Sequence, residues 1–259
     1  MLRYILVQIT TFFFAFRWFF CENIVFYINT ILPIGPALAG RLMGKKVIYH
    51  YHENADSKGA FYKILAWFMQ ILANKIICVS MYQASLLKRK MGVFVIPNAL
   101  PNDFISKLNP NISEAFKRKQ ILMLGSLKFY KGTNEFCKLA KLMPKFKFEL
   151  VLNESQEDID SYWESNKIEK IENLVVYPRQ KDVAPFYSRA SIVLNLSNKE
   201  LVVETFGLTV LEAFSAGVPV IVPTVGGIAE LVTNDKNGYK IDSSELNNIT
   251  ESISELLSN

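Results

Sequence analysis

The stretch ETFGLTVLEAFSAGVPVIVPTVGG, residues 204–227, indicates the fold of this chain. It follows an apolar run, residues 192–196, that is typical of a buried strand. Its middle part carries apolar side chains at helical spacing, and Gly217 stands where a helix C-cap belongs. A second apolar run, residues 218–222, follows directly. A strand, a loop, a helix and a second strand within this length predict a βαβ unit with two parallel strands.

Two glutamates carry the chemistry of this unit. Glu204 precedes the helix and Glu212 lies inside it, and the residues of the expected first turn are Phe206, Gly207 and Leu208. The N–H groups of a first turn have no helical partner and bind anions, and Gly207 lets a phosphate come close. Two hydroxyl-binding carboxylates beside an anion site fit a nucleotide sugar. The alternative is that Glu204 is a helix-start carboxylate favoured by the dipole and Glu212 lies on a solvated face.

The spacing from Glu204 to Glu212 resembles the E-x7-E motif of the retaining nucleotide-sugar glycosyltransferases of family 4 (glycosyl transferases group 1). Residues 206–232, FGLTVLEAFSAGVPVIVPTVGGIAELV, look like that family nearly throughout. The resemblance implies the two-Rossmann (GT-B) architecture. It also implies that Glu204 is a catalytic residue at the donor sugar, that the amides of Phe206 to Leu208 bind sugar and phosphate, and that Glu212 binds the ribose hydroxyls.

Composition and charge limit the function classes. Half of the residues are apolar, which argues against disorder, and the net charge of +5 is modest. No basic run is interleaved with aromatic residues, so we predict no nucleic-acid partner. The three cysteines are far apart and form no C-x-x-C motif, which suits a reducing compartment. We therefore predict a cytoplasmic protein.

Residues 2–20 contain apolar and aromatic side chains at helical spacing. The charge-free run, residues 4–16, is too short for a spanning helix, which needs about 20 apolar residues. Two interpretations remain open. The segment packs as a helix on a sheet, or it lies on the inner face of a membrane through its aromatic side chains and gives the protein a peripheral membrane contact.

The first half of the chain alternates strand and helix patterns, which predicts a parallel sheet covered by helices. Strands are predicted over residues 24–28, 47–51, 76–79 and 93–96, and helices over 36–43, 61–72 and 82–91. Residues 99–111 contain prolines and asparagines without periodicity and are predicted to connect two lobes. The predicted domains are an N-terminal, acceptor-side lobe over residues 1–110 and a nucleotide-sugar-binding lobe over residues 111–259.

His50 and His52 are the two histidines of the chain and share a face of an extended strand. No third ligand at metal spacing follows, so we predict no metal site. The YHYHE run, residues 49–53, resembles the histidine–glutamate segment that the family has at its interlobe cleft. The resemblance implies that His52 lies near the reacting sugar or the acceptor.

The second lobe begins with a strand, residues 120–124, a glycine-bearing loop and a helix over residues 134–142. A cation at Lys131 would add to a helix dipole that already favours an anion. Lys131 and Gly132 match the phosphate-binding lysine and glycine of the family, and Ser126 stands where the family commonly has an arginine. Further strands are predicted over residues 146–152 and 174–177, and further helices over 155–166, 183–189 and 244–257. We expect a parallel sheet with helices on both faces.

The family normally opens with a strand and a glycine-rich loop, whereas the first glycine here is Gly35. By this resemblance we expect an incomplete N-terminal lobe and the absence of the closing helix that the family has after the position of Asn259, as in a truncated frame, a split enzyme or a remnant. The expected function is a hexosyltransferase-type transfer with retention, without a cofactor or an essential metal. The donor is a nucleotide-diphosphate sugar and the acceptor a carbohydrate or lipid-linked hydroxyl, in bacterial surface polysaccharide or glycolipid synthesis. The alternatives are a non-catalytic homologue that binds nucleotide sugar or a partner, and a nucleotide-sugar epimerase.

Overall fold

Parallel sheets and helices form two units in this chain, which the computed structural model describes over residues 2–258. The division falls between Asn98 and Ala99. The boundary predicted from the sequence lies at residue 110, so residues 99–110 belong to the second unit in the structure and not to the first. We call the two parts unit 1 and unit 2. The roles predicted for them, acceptor side and donor side, stay predictions.

Unit 1 contains a four-stranded sheet of parallel strands in the order β1-β2-β3-β4. The strands are β1 (Val25–Asn29), β2 (Lys46–Tyr51), β3 (Lys75–Cys78) and β4 (Val93–Val95). The helices are α1 (Leu2–Ala15), α2 (Ile34–Leu42), α3 (Ala60–Leu72) and α4 (Met81–Ser85). In β2 the buried side chains of Val47, Tyr49 and Tyr51 alternate with more exposed neighbours, which is why this strand has one core face.

The helix predicted over residues 82–91 is wrong in its second half, since α4 ends at Ser85. Beyond it the chain turns so that Arg89 reaches the end of α3. Its guanidinium donates to the carbonyl oxygens of Gln70, Ala73 and Asn74, and its backbone N–H donates to the side chain of Gln70. These bonds satisfy carbonyls that a helix end leaves without partners, and they outweigh the helical propensity of residues 86–91.

Helix α1 packs mainly along α2, and its Tyr4 also packs against the apolar core that contains Tyr49 of β2. The Gln8 side chain accepts a hydrogen bond from the backbone N–H of Gly35 at 2.8 Å, and the Tyr4 hydroxyl donates to the carbonyl oxygen of Leu32 at 2.6 Å. Most of the apolar side chains of α1 remain exposed, among them Phe13 and Phe14. Among the described residues, no helix has both the length and the apolar character needed to cross a membrane.

Unit 2 contains six parallel strands in the order β10-β9-β8-β5-β6-β7. The strands are β5 (Gln120–Gly125), β6 (Lys147–Leu152), β7 (Leu174–Tyr177), β8 (Ile192–Leu194), β9 (Val220–Val222) and β10 (Gly238–Lys240). The helices are α5 (Asn102–Lys107), α6 (Ile112–Arg118), α7 (Thr133–Leu142), α8 (Gln156–Ser165), α9 (Ala184–Arg189), α10 (Leu208–Ser215), α11 (Gly227–Glu230) and α12 (Leu246–Ser258).

Two apolar cores cover the two faces of this sheet. Ile121 and Met123 of β5 pack in one core with Phe136 of α7, whereas Leu122 packs in the other with Val210 of α10. Successive side chains of a strand point to opposite faces, so a strand with two buried faces needs an unbroken apolar run. The predicted α/β architecture, with a parallel sheet and helices on both of its faces, is confirmed.

The predicted connector, residues 99–111, contains a short helix, α5, and a second helix, α6, begins directly after it. The side chain of Asn111 caps α6 by accepting a hydrogen bond from the backbone N–H of Glu114 at 3.2 Å. This spacing of an asparagine and a glutamate is a helix-start pattern that the sequence contains. Strand β10 and helix α11 are absent from the prediction because each is too short for a periodic pattern.

Candidate functional site

The loops that follow β5 and β8 meet at the carboxyl edge of the unit 2 sheet, because these two strands are neighbours. Lys131 comes from the first loop and Glu204 from the second. The Lys131 ammonium lies 2.6 Å from Oε1 of Glu204, and both side chains are largely shielded from solvent. The structure therefore brings together a cation and a carboxylate that the sequence analysis placed in one site from two separate motifs.

Buried polar side chains at the end of β8 hold the Glu204 carboxylate. The hydroxyl of Ser197 donates to Oε1 at 2.5 Å, and the amide of Asn195 lies 3.5 Å from the same oxygen. Ser197 is 2% exposed and Asn195 is 8% exposed. Neither residue was predicted to belong to the site, although two polar residues directly after a buried apolar run were a usable signal.

Gly132 allows the first loop to pass against the end of β8. Its φ of +81° lies in the left-handed region, and a Cβ there would be 2.3 Å from the carbonyl oxygen of Leu196. A residue with a side chain would have to move the backbone that carries Ser197. Gly132 thus places Lys131, which ends a short 3₁₀ turn before α7, beside Glu204.

Helix α10 begins at Leu208 with Gly207 as its N-cap, so Phe206 lies before the first turn and not in it. A Cβ on Gly207 would be 2.6 Å from Cγ1 of Ile228 in α11. The missing side chain at Gly207 is therefore needed for packing between α10 and α11, a reason that the sequence analysis did not give. The roles of Phe206, Gly207 and Leu208 in donor binding stay predictions.

Glu212 does not lie on a solvated helix face. The buried hydroxyl of Tyr187 in α9 donates to its Oε2 at 2.5 Å. Burial raises the pKa of the Glu212 carboxyl, and the hydrogen bond from Tyr187 acts in the opposite direction. Tyr187 is fully buried and was missed, because nothing in the sequence links residues 25 positions apart on two different helices.

Ser126 uses its backbone, since its carbonyl oxygen accepts a hydrogen bond from the Thr133 hydroxyl at 3.3 Å. The contact of Ser126 with phosphate stays a prediction. At the same edge, Arg179 donates to the side-chain and backbone oxygens of Asn153 at 2.9 and 2.8 Å. This pair joins the loop after β7 to the loop after β6.

A second ionic contact joins the loop of Glu204 to the ends of β9 and β10. The Lys199 ammonium lies 2.5 Å from Oδ2 of Asp242, and the backbone N–H of Thr224 donates to Oδ1 at 2.9 Å. Burial alone would raise the pKa of Asp242, but the hydrogen bonds from Lys199 and Thr224 outweigh it and lower this pKa. The ion pair between Lys199 and Asp242 thus anchors the loop that carries Glu204 to the sheet.

In unit 1 the rings of His50 and His52 lie 4.0 Å apart, which confirms that they share a face. Nε2 of His52 is 2.8 Å from Oδ1 of Asn29, and Nδ1 of His50 is 2.6 Å from the Tyr27 hydroxyl. Burial lowers the pKa of His50, and the neighbouring His52 adds to this shift. Within residues 2–258, no group of three His, Cys, Asp or Glu side chains is placed to hold a metal ion. The catalytic role of His52 stays a prediction.

The sequence model of the family described as glycosyl transferases group 1 matches residues 106–259, which is more than half of the chain. A protein of Klebsiella pneumoniae, the uncharacterized 41.2 kDa protein in cps region, is 28% identical over 226 residues, which cover 80% of this chain and 60% of that protein. The N-acetyl-alpha-D-glucosaminyl L-malate synthase of Bacillus anthracis is 34% identical over 88 residues, 34% of this chain and 22% of that protein. The chain thus spans less than two thirds of the length of either relative.

Solved glycosyltransferases have a similar structure. Anabaena HepE in complex with UDP-glucose aligns with a TM-score of 0.74 at 19% identity, over 96% of this chain and 75% of that chain. The lipopolysaccharide outer core galactosyltransferase WaaB aligns with a TM-score of 0.72 at 17% identity, over 98% of this chain and 72% of that chain. At such identities the likeness establishes the fold, which is GT-B.

Proposed function

The chain belongs to the glycosyl transferases group 1 family, and from this premise we propose that it transfers a sugar from a nucleotide-diphosphate sugar to an acceptor hydroxyl with retention of configuration. In this reaction the bond between the anomeric carbon and the diphosphate oxygen breaks. The acceptor oxygen bonds to the same face of the anomeric carbon, and its proton passes to the departing diphosphate. The diphosphate gains negative charge as the bond breaks.

The contact between Lys131 and Glu204 carries the proposal. Lys131 supplies a cation beside the start of α7, where charge develops on the departing diphosphate. Glu204 orients the donor sugar, and Ser197 holds its carboxylate in place. The backbone amides of Phe206, just before α10, and of Gly207 and Leu208, at its start, donate to phosphate and sugar, while Glu212 accepts the ribose hydroxyls. Within unit 1 we assign His52 to the reacting sugar or the acceptor, with its ring oriented by Asn29.

The donor and the product are proposed from the relatives. A protein of similar fold was solved with UDP-glucose, which supports a nucleotide-sugar donor. A relative in a cps region and a lipopolysaccharide galactosyltransferase of similar fold support a role in bacterial surface polysaccharide or glycolipid synthesis. The reaction needs no cofactor or essential metal in this proposal. Nuclear magnetic resonance of the glycosidic product tests retention, and an inverted anomer would contradict it.

The acceptor is proposed to be lipid-linked, at the inner face of the membrane. Helices α1, α2 and α3 expose large apolar side chains, including Phe13, Leu42 and Trp67. The same three helices contain Arg3, Arg41 and Lys63 and no Asp or Glu, and Lys63 pairs with Asp56 just before α3 at 3.7 Å. Cations next to exposed apolar groups suit a surface of anionic phospholipid.

Calorimetric binding of UDP and GDP to the full chain tests the donor site. We expect one of the two to bind and Lys131→Ala to weaken its binding at least about tenfold, because a charge-assisted contact with phosphate is lost. Lys138→Ala is the matched control, since Lys138 is an exposed lysine on α7 that pairs with Glu135. Equal binding by the wild type and Lys131→Ala would contradict the site assignment.

Activity assays separate the proposal from its alternatives. A transferase forms a product only when an acceptor is present, apart from slow hydrolysis of the donor. An epimerase converts the donor without an acceptor. A non-catalytic homologue binds the nucleotide and does neither.

A further inference from the structure

Tyr187 is the fully buried residue that contacts the predicted ribose-binding carboxylate. Its hydroxyl donates to Oε2 of Glu212 at 2.5 Å. Its ring lies in the same core as Val193 and Val210, and it packs edge to face on Phe104 with ring centroids 6.0 Å apart. The core therefore fixes the position of the hydroxyl, and the hydroxyl fixes one oxygen of Glu212.

A half-buried carboxylate needs hydrogen-bond donors to stay ionised. Tyr187 supplies one donor to Oε2, which leaves Oε1 of Glu212 to accept from a ligand. The pKa of the Tyr187 hydroxyl is itself raised well above its ordinary value by burial and by Glu212, so it stays a donor throughout the physiological range. Within the described residues, Tyr187 is the titratable side chain that shifts the pKa of Glu212. The cation of the same helix, Arg189, pairs with Glu149 instead.

We propose that Tyr187 is a positioning residue for donor recognition, which holds the Glu212 carboxylate ionised and turned so that its second oxygen accepts a ribose hydroxyl. The inference rests on the proposed function. It makes the pair of Tyr187 and Glu212 the part of the site that distinguishes a ribonucleotide from a deoxyribonucleotide. Lys131 and the helix N-termini contact the diphosphate, which is the same in both ligands.

The test measures discrimination between sugars of the nucleotide and not affinity alone. Binding of UDP or GDP to the full chain, whichever binds, is compared with binding of its 2′-deoxy and 3′-deoxy analogues. For the wild type we expect about tenfold weaker binding of the analogue that lacks the contacted hydroxyl, because the carboxylate then loses a charged hydrogen bond. In Tyr187→Phe we expect binding of the ribonucleotide to fall about tenfold and the preference over the deoxy analogue to shrink below about threefold.

Tyr162→Phe is the matched control. Tyr162 also lies in unit 2 and donates to Asn134 at 3.2 Å, so this variant loses a tyrosine hydrogen bond away from Glu212. It should keep the discrimination of the wild type. A purely structural effect of Tyr187→Phe would weaken all three ligands equally and leave the preference for the ribonucleotide unchanged, and that result would overturn the inference.

A double-mutant cycle with Glu212→Gln gives a second readout. If Tyr187 acts through Glu212, adding Tyr187→Phe to Glu212→Gln should leave nucleotide affinity unchanged. A further tenfold loss in the double variant would overturn the inference. If Tyr187→Phe alone fails to fold, Glu212→Gln can still be compared with the double variant. In the double variant no carboxylate at position 212 is left buried without the hydroxyl of Tyr187. Failure of both UDP and GDP to bind the wild type would instead contradict the proposed function.

Discussion

At the scale of single residues, the charged side chains of the candidate site already have protein partners when no ligand is bound. Lys131 is already paired with Glu204, whose carboxylate also accepts from Ser197. A diphosphate that binds Lys131 must therefore compete with a carboxylate 2.6 Å away. In the proposed function, the same carboxylate accepts a sugar hydroxyl once Lys131 binds the diphosphate. Removing its charge should consequently act in opposite directions on nucleotide binding and on sugar transfer.

Glu204→Gln should abolish sugar transfer and bind the free nucleoside diphosphate about threefold to fivefold more tightly than the wild type. A partly exposed ion pair is worth about 1 kcal/mol, and the diphosphate no longer has to displace it. Calorimetry and a transfer assay on the same preparation measure both effects. Glu200→Gln, an exposed carboxylate of the same loop, is the control and should change neither. Weaker nucleotide binding by Glu204→Gln would contradict this account.

The candidate site residues that carry a local signature could be predicted from the sequence, and those that contact them only through packing could not. Lys131, Glu204 and Glu212 each lie in a motif with a fixed spacing. Tyr187 and Asn195 have no such signature, since their contacts arise only when separate elements pack together. A phenol that meets a carboxylate across two helices is a tertiary contact, and residue spacing along the chain carries no information about it.

At the scale of elements, α10 is positioned by close packing on α11. The contact depends on the absence of a side chain at Gly207, since a Cβ there would be 2.6 Å from Ile228. The order of β8, α10 and β9 was predictable, because the two strands coincide with apolar runs and the helix with apolar residues at helical spacing. The end of α4 was not predictable, because hydrogen bonds from Arg89 to the end of α3 determine it. The short helix α11 was not predictable either, because it depends on packing.

Gly207→Ala should lower the free energy of unfolding by about 1–3 kcal/mol, because the added methyl group overpacks the contact with Ile228. Denaturant unfolding measures the change. Gly125→Ala is the matched control, since a Cβ there has no neighbour closer than 3.9 Å and it should change stability by less than about 0.5 kcal/mol. A neutral Gly207→Ala would show that α11 can move without cost.

Asp242→Asn should destabilise the protein at neutral pH by about 1–3 kcal/mol, because the hydrogen bond from Thr224 loses its charged acceptor. The pKa of Asp242 is lowered in the folded state, so its stabilising effect is present above the unfolded pKa and is lost as pH falls through the folded pKa. The difference in stability between wild type and variant should therefore narrow in acid. Asp103→Asn, an exposed carboxylate on α5, is the control for unfolding measured across this pH range. A difference that stayed constant with pH would argue against an ionised Asp242.

At the scale of the whole molecule, apolar exposure is concentrated in unit 1. Phe20, Leu2 and Phe13 are 92%, 73% and 68% exposed, whereas the two cores of unit 2 enclose most of its large side chains. The helical nature of residues 2–15 was predictable from their periodicity. Their packing on α2 was not, since it depends on the close approach of Gly35 to Gln8.

Phe13→Glu should reduce cosedimentation of the full chain with vesicles that contain anionic phospholipid by severalfold, because it replaces an exposed apolar group of α1 with a charge of the same sign as the lipid. Leu142→Glu, an exposed apolar position on α7 of unit 2, is the matched control and should sediment as the wild type does. Wild-type protein that sediments equally with neutral and anionic vesicles would contradict the electrostatic part of the proposal.

The distance along the chain between Lys131 and Glu204 has a consequence for folding. These residues are 73 positions apart, whereas each belongs to a βαβ segment whose own contacts are far more local. Local contacts form before distant ones, because closing a long loop costs more conformational entropy. The two segments can therefore acquire their helices and strands before β5 pairs with β8. The ability to bind a ligand at this pair should be among the last properties that a refolding chain recovers, later than its secondary structure.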